Sequence, residues 1–75
     1  YTEESLRKIG LNERQIKAVM YAKERGKITN REYRQLTGIS DEGARIDLNL
    51  LVKKGILRLE GKGRSVYYVL QRLGE

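Results

Sequence analysis

Two groups of residues in this chain have the types and spacing to do chemistry. Asp41, Glu42 and Asp47 lie close together and could in principle act as acid and base or hold a metal. Lys62 and Arg64 alternate with glycine in Gly61-Lys62-Gly63-Arg64 and could hold a phosphate. The first possibility lacks its companions. Cys and His are both absent, so the common zinc ligand sets and Cys or His nucleophiles are excluded. No phosphate-binding loop or nucleophile–base pair accompanies the carboxylates, whose plain reading is helix capping and a solvated face. Gly61-Lys62-Gly63 is too short for a nucleotide loop and reads as a turn. Neither an enzyme nor a cofactor is therefore expected. What remains is the binding of an anion by cations.

The charge distribution points the same way. The 75 residues carry a net charge of +6. Positions 41–52 hold Asp41, Glu42 and Asp47 against Arg45, while 53–64 hold Lys53, Lys54, Arg58, Lys62 and Arg64 against Glu60. Positive charge thus collects toward the Gly-Lys-Gly-Arg segment, which suits an anionic partner. The length allows one small domain, with a core near the lower limit for independent folding. No apolar run is long enough to span a membrane, and no signal-peptide pattern appears, so no membrane partner is expected. The absence of Cys fits a cytoplasmic protein. A start at Tyr1 rather than Met predicts a piece of something larger.

The elements that must position these residues follow from local chemistry. Asn12, with Gln15 three residues on, predicts a capping box, and Leu11 with Ile16 a hydrophobic staple. The helix so begun runs over Glu13 to Arg25, with Ile16, Val19, Met20 and Ala22 on its inner side, and Glu13, Arg14, Lys17 and Lys23 facing water. Gly26 ends it. Lys27-Ile28-Thr29 is a short extended piece. A second helix follows a cap at Asn30, with Tyr33 and Leu36 inward, and stops at Gly38. Ser40 caps a third, where Asp41 and Glu42 suit the positive end of the helix dipole and Lys53 and Lys54 the negative end. Ala44, Leu48, Leu51 and Val52 form its buried stripe, and Gly55 stops it. Gly43 costs about 1 kcal/mol against Ala inside a helix, which predicts a soft first turn.

Leu57 and Leu59 alternate with Arg58 and Glu60, and Val66-Tyr67-Tyr68-Val69-Leu70 is rich in strand formers. A hairpin about Gly61–Arg64 results, with Val66, Tyr68 and Leu70 inward and the tyrosines packing rather than stacking on bases. Residues 1–10 are a linker or a short extra helix around Leu6 and Ile9, 11–70 the domain, and 71–75 a tail. Helix, strand, helix, turn, helix, hairpin is the order of a winged helix-turn-helix. The expected class is α+β, mainly helical, with a three-helix core and a two-stranded wing.

Leu11-Asn12-Glu13-Arg14-Gln15-Ile16-Lys17-Ala18, Gly26-Lys27-Ile28-Thr29-Asn30-Arg31-Glu32-Tyr33, Leu36-Thr37-Gly38-Ile39-Ser40 and Gly55-Ile56-Leu57 resemble one family. It is the C-terminal winged-helix module of RecG-related ATP-dependent DNA helicases and Schlafen-AlbA-type transcriptional regulators, with a similar module in some Fic-domain proteins. Gly61-Lys62-Gly63-Arg64 followed by Tyr67-Tyr68-Val69-Leu70 resembles the family's wing. The resemblance implies a missing N-terminal regulatory or nucleotide-associated domain, and DNA binding through the third helix and wing. It places Ser40, Arg45 and Asn49 toward the groove and Lys62 and Arg64 on the wing. The chain departs from the family at Asp41-Glu42-Gly43, where relatives commonly show basic or small polar residues, and at Ile46, where a basic residue is common.

Two functions follow. In the first, the domain binds double-stranded DNA. Asn30, Arg31, Arg34, Lys62 and Arg64 hold phosphates, and Arg45 and Asn49 read bases to a limited degree. In the second, the winged helix has turned to protein contact, as a homodimer or by docking to another domain of its parent, with Ile46 near the centre.

Overall fold

The computed structural model describes residues 1–71, so all of the expected tail except Gln71 lies outside the described residues. Helices α1 (Glu3–Lys8), α2 (Glu13–Arg25), α3 (Asn30–Thr37) and α4 (Asp41–Lys53) precede strand β1 (Leu57–Glu60), a single 3-10 turn (Gly63–Ser65) and strand β2 (Tyr67–Leu70). The class is small α+β, mainly helical, with one two-stranded antiparallel sheet. No helix among the described residues is long and apolar enough to cross a membrane.

Helix α2 starts as its residues predict. The Asn12 side chain accepts from the Gln15 N–H at 2.9 Å, and the Gln15 side chain accepts from the Asn12 N–H at 3.1 Å. The cap of α3 is a correction: it is Thr29, one residue before the expected Asn30. Thr29 Oγ1 accepts from the Glu32 N–H at 3.1 Å, and the Glu32 carboxylate accepts from the Thr29 N–H at 2.9 Å. Thr29 has a carboxylate three residues ahead, whereas Asn30 has Tyr33 there, so only Thr29 can build a reciprocal box. Asn30 thereby becomes the first helical residue, and its side chain accepts from Arg34 and donates to the Asp41 backbone carbonyl. Gly38 ends α3 with φ of 74°, and Ser40 caps α4 by accepting from the Gly43 N–H at 3.1 Å.

The core runs through all four helices rather than three, a second correction. Helix α1 carries Leu6 into complete burial beside α2, while Ile9 stays 50% exposed. Ile16, Val19 and Ala22 of α2, Tyr33 of α3, and Ala44, Leu48 and Leu51 of α4 join it. Met20 and Val52 are half-buried at its edge. Leu36 is the third correction, being 38% exposed. It lies in a shallow groove with Met20 and Tyr21 of α2, because the short α3 turns one narrow face inward and Tyr33 fills it.

The strands pair Leu57 with Leu70 and Leu59 with Tyr68. Tyr68 is buried and Leu70 packs on the core, so the inward face is the one expected of them, while Val66 is half-buried ahead of the strand. Ile28 completes this layer. Its N–H donates to the Tyr68 carbonyl and its carbonyl accepts from the Tyr68 N–H, each at 2.8 Å. That bridge ties the α2–α3 connection to the hairpin and fixes the start of α3 relative to it.

Candidate nucleic-acid interface

Three elements meet around one open concavity of about 800 Å³. The start of α3 supplies Asn30, Arg31 and Arg34, α4 supplies Arg45 and Asn49, and the hairpin turn supplies Arg64. Arg45 and Asn49 share a helix face because they are one turn apart. The Ile28–Tyr68 bridge brings the α3 start and the hairpin together, and the tight turn at Gly38 sets α4 against both. Leu59, Val66 and Tyr68 add an apolar part to the lining. Burial pushes the Tyr68 hydroxyl above its ordinary value.

The electrostatics are those of a cationic surface with one carboxylate in it. Arg31, Arg34, Arg45 and Arg64 line the concavity, and Asp41 lines it with them. Arg45 Nη2 donates to Asp41 Oδ2 at 2.8 Å, and Arg34 Nε stands 3.9 Å from Asp41 Oδ1 while donating to Asn30 Oδ1 at 2.8 Å. Among the described residues, Arg31 and Arg64 have no ion-pair partner within 4.0 Å. Their charge is open to an incoming anion. The arginines that are paired are each more than a third exposed, where such pairs contribute little and exchange readily.

Six of the residues singled out from the sequence thus come together: Asn30, Arg31, Arg34, Arg45, Asn49 and Arg64. Ser40 and Lys62 do not line the concavity. The Ser40 hydroxyl is engaged in its cap, and Lys62 is exposed just before the 3-10 turn. Ile46 is 61% exposed on α4, with Leu50 one turn further on and 38% exposed. Leu59 and Tyr68 carry no sequence signal for this lining, because apolar residues alternating along a strand point to packing first.

Asp47 corrects the sequence reading. It is not on a solvated face but buried, with its Oδ2 accepting from Tyr33 OH at 2.8 Å and from Arg14 Nε at 3.1 Å. Arg14, expected to face water, is about half-exposed with its guanidinium turned onto Asp47. The carboxylate is a structural tie between α2, α3 and α4. Among the described residues, no three of His, Cys, Asp and Glu are grouped to hold a metal. The arrangement can bind oxyanions through guanidinium forks and amide side chains. No protein-family model matches this sequence, and neither a curated protein nor a solved structure matches it.

Proposed function

We infer that the domain is a winged helix-turn-helix that binds double-stranded DNA. In this reading it is a module of a larger RecG-related or Schlafen-AlbA-type regulator, with α4 toward the groove and the hairpin as its wing. The observation that carries the reading is the convergence of Arg31 and Arg34, Arg45, and Arg64 from three separate elements on one concavity. Guanidiniums held around a concave surface suit a phosphate backbone, and Asn49 beside Arg45 suits limited contact with base edges. A second reading, protein contact through α4, is favoured by the exposed Ile46 and Leu50 on one helix face.

Changing Arg31 and Arg64 together to Ala separates the readings. Neither side chain holds an ion pair among the described residues, so the melting temperature should stay within a degree or two of the parent. Affinity for random duplex should fall alike for all sequences, and the slope of log affinity against log salt should flatten by roughly two units, one for each lost phosphate contact. Binding of the variant equal to the parent's at low salt would show that DNA does not sit on this concavity, and absence of binding by the parent would remove the DNA reading.

A further inference from the structure

We propose that Asp41 occupies one phosphate seat of this surface with its own carboxylate, and so sets how tightly the surface binds. The proposal rests on the DNA reading above and deepens it. The two oxygens of Asp41 are divided between two helices. Oδ2 accepts from Arg45 Nη2 at 2.8 Å on α4, and Oδ1 faces Arg34 Nε at 3.9 Å on α3. An oxyanion between two guanidiniums from different elements is the arrangement a backbone phosphate would adopt there. Asn30 Nδ2 donates to the Asp41 backbone carbonyl at 3.5 Å and links this first residue of α4 to the start of α3.

The ordinary account of Asp41 is an i,i+4 helix pair with Arg45. That accounts for Arg45 alone. It does not cover Arg34, whose Nε is held by Asn30 Oδ1 at 2.8 Å on α3 and stands 3.9 Å from Asp41 Oδ1, nor the placing of Asp41 rather than Glu42 in the lining of the concavity. Glu42 is the internal control. It is the next residue, carries the same charge, is exposed, lies in the same first turn of α4 and does not line the concavity. The pairs Asp41 makes are solvent-screened and yield easily. Its larger effect is on an incoming phosphate, which must displace the carboxylate from both arginines and then sit a few ångströms from it. Opposition of that kind corresponds to about tenfold in affinity.

The test compares Asp41→Asn with Glu42→Gln, which change net charge equally and remove the same kind of first-turn carboxylate. Random duplex DNA and, separately, millimolar inorganic phosphate are titrated into each full chain, following the Arg34 and Arg45 Nε–H signals by NMR. Asp41→Asn should bind duplex about tenfold tighter than the parent, and Glu42→Gln within about threefold of it. Equal tightening by the two would overturn the seat, leaving only a general effect of charge. If no variant bound duplex, the DNA reading would fall. The phosphate arm would then decide the seat: larger shifts of both arginine signals in Asp41→Asn than in Glu42→Gln would uphold it, and equal or absent shifts would end it.

Discussion

Tyr33 is completely buried on α3 and donates its hydroxyl to Asp47, which also takes Arg14. Burial first, and then the hydrogen bond to a carboxylate, push the Tyr33 hydroxyl well above the ordinary tyrosine value of 10.0. The consequence for stability has a definite sign. Below about pH 10 Tyr33 is neutral whether the chain is folded or not. Above it the unfolded chain loses the proton while the folded one keeps it, so stability falls as pH rises. Tyr21 and Tyr68 are raised as well and add to the fall. Thermal melts from pH 8 to 11 should show a decline beginning near 10, and Tyr33→Phe should make that decline shallower while lowering the neutral-pH melting temperature. An unchanged slope in Tyr33→Phe would show that Tyr33 ionises freely. The sequence gives no sign of this network. Tyr33 is legible as an inward residue, but Asp47 joins Arg14 across 33 positions of chain, and a carboxylate in mid-helix carries no mark of burial. Arg31 and Arg34 were legible singly, as cations at the start of a helix, whereas Arg45 and Arg64 were placed by the family resemblance.

Gly43 shows what changes between sequence and element. By propensity alone it weakens α4 by about 1 kcal/mol against Ala. In the fold, a Cβ at this position would lie 2.7 Å from Ile39 Cγ1, 2.8 Å from Ile39 Cδ1 and 3.2 Å from Ser40 Oγ. Ile39 is partly buried against the core, so moving it aside costs packing. Overpacking typically costs about 1–3 kcal/mol, which equals or exceeds the gain in propensity. Gly43→Ala should therefore leave the melting temperature unchanged or lower it by up to roughly 10 °C. In an Ile39→Ala background the same change should raise it. A rise in the otherwise unaltered chain would mean that Ile39 yields and only propensity acts. The elements themselves were largely legible, because caps, glycine stops and periodic apolar residues are local signals. The misjudged points needed neighbours to decide them. Thr29 takes the α3 cap because Glu32 answers it, Leu36 stays exposed because Tyr33 fills the face turned inward, and α1 enters the core through Leu6 alone.

At the scale of the molecule, α3, α4 and the hairpin bring their arginines to one concave surface, which in the proposed function binds DNA phosphates. The hydrogen-bonded bridge between Ile28 and Tyr68 makes this possible by holding the start of α3 beside the hairpin. Lys27-Ile28-Thr29 was legible as extended, but its partner was not, since a single bridge leaves no pattern to read. That the concavity takes in Arg64 and omits Lys62 depends on the 3-10 turn at Gly63–Ser65, which spacing alone does not reveal. The most direct measurement is a titration of the chain with random duplex DNA at several salt concentrations, following backbone amide and arginine Nε–H shifts and the apparent mass together. Shifts should centre on Arg31, Arg34, Arg45, Asn49 and Arg64, with an affinity around micromolar or weaker that falls as salt rises. The apparent mass of the free protein should not depend on its concentration. Absence of binding at low salt would rule out a DNA-binding surface here, as would shifts centred on Ile46 and Leu50 with a mass that grows with protein concentration.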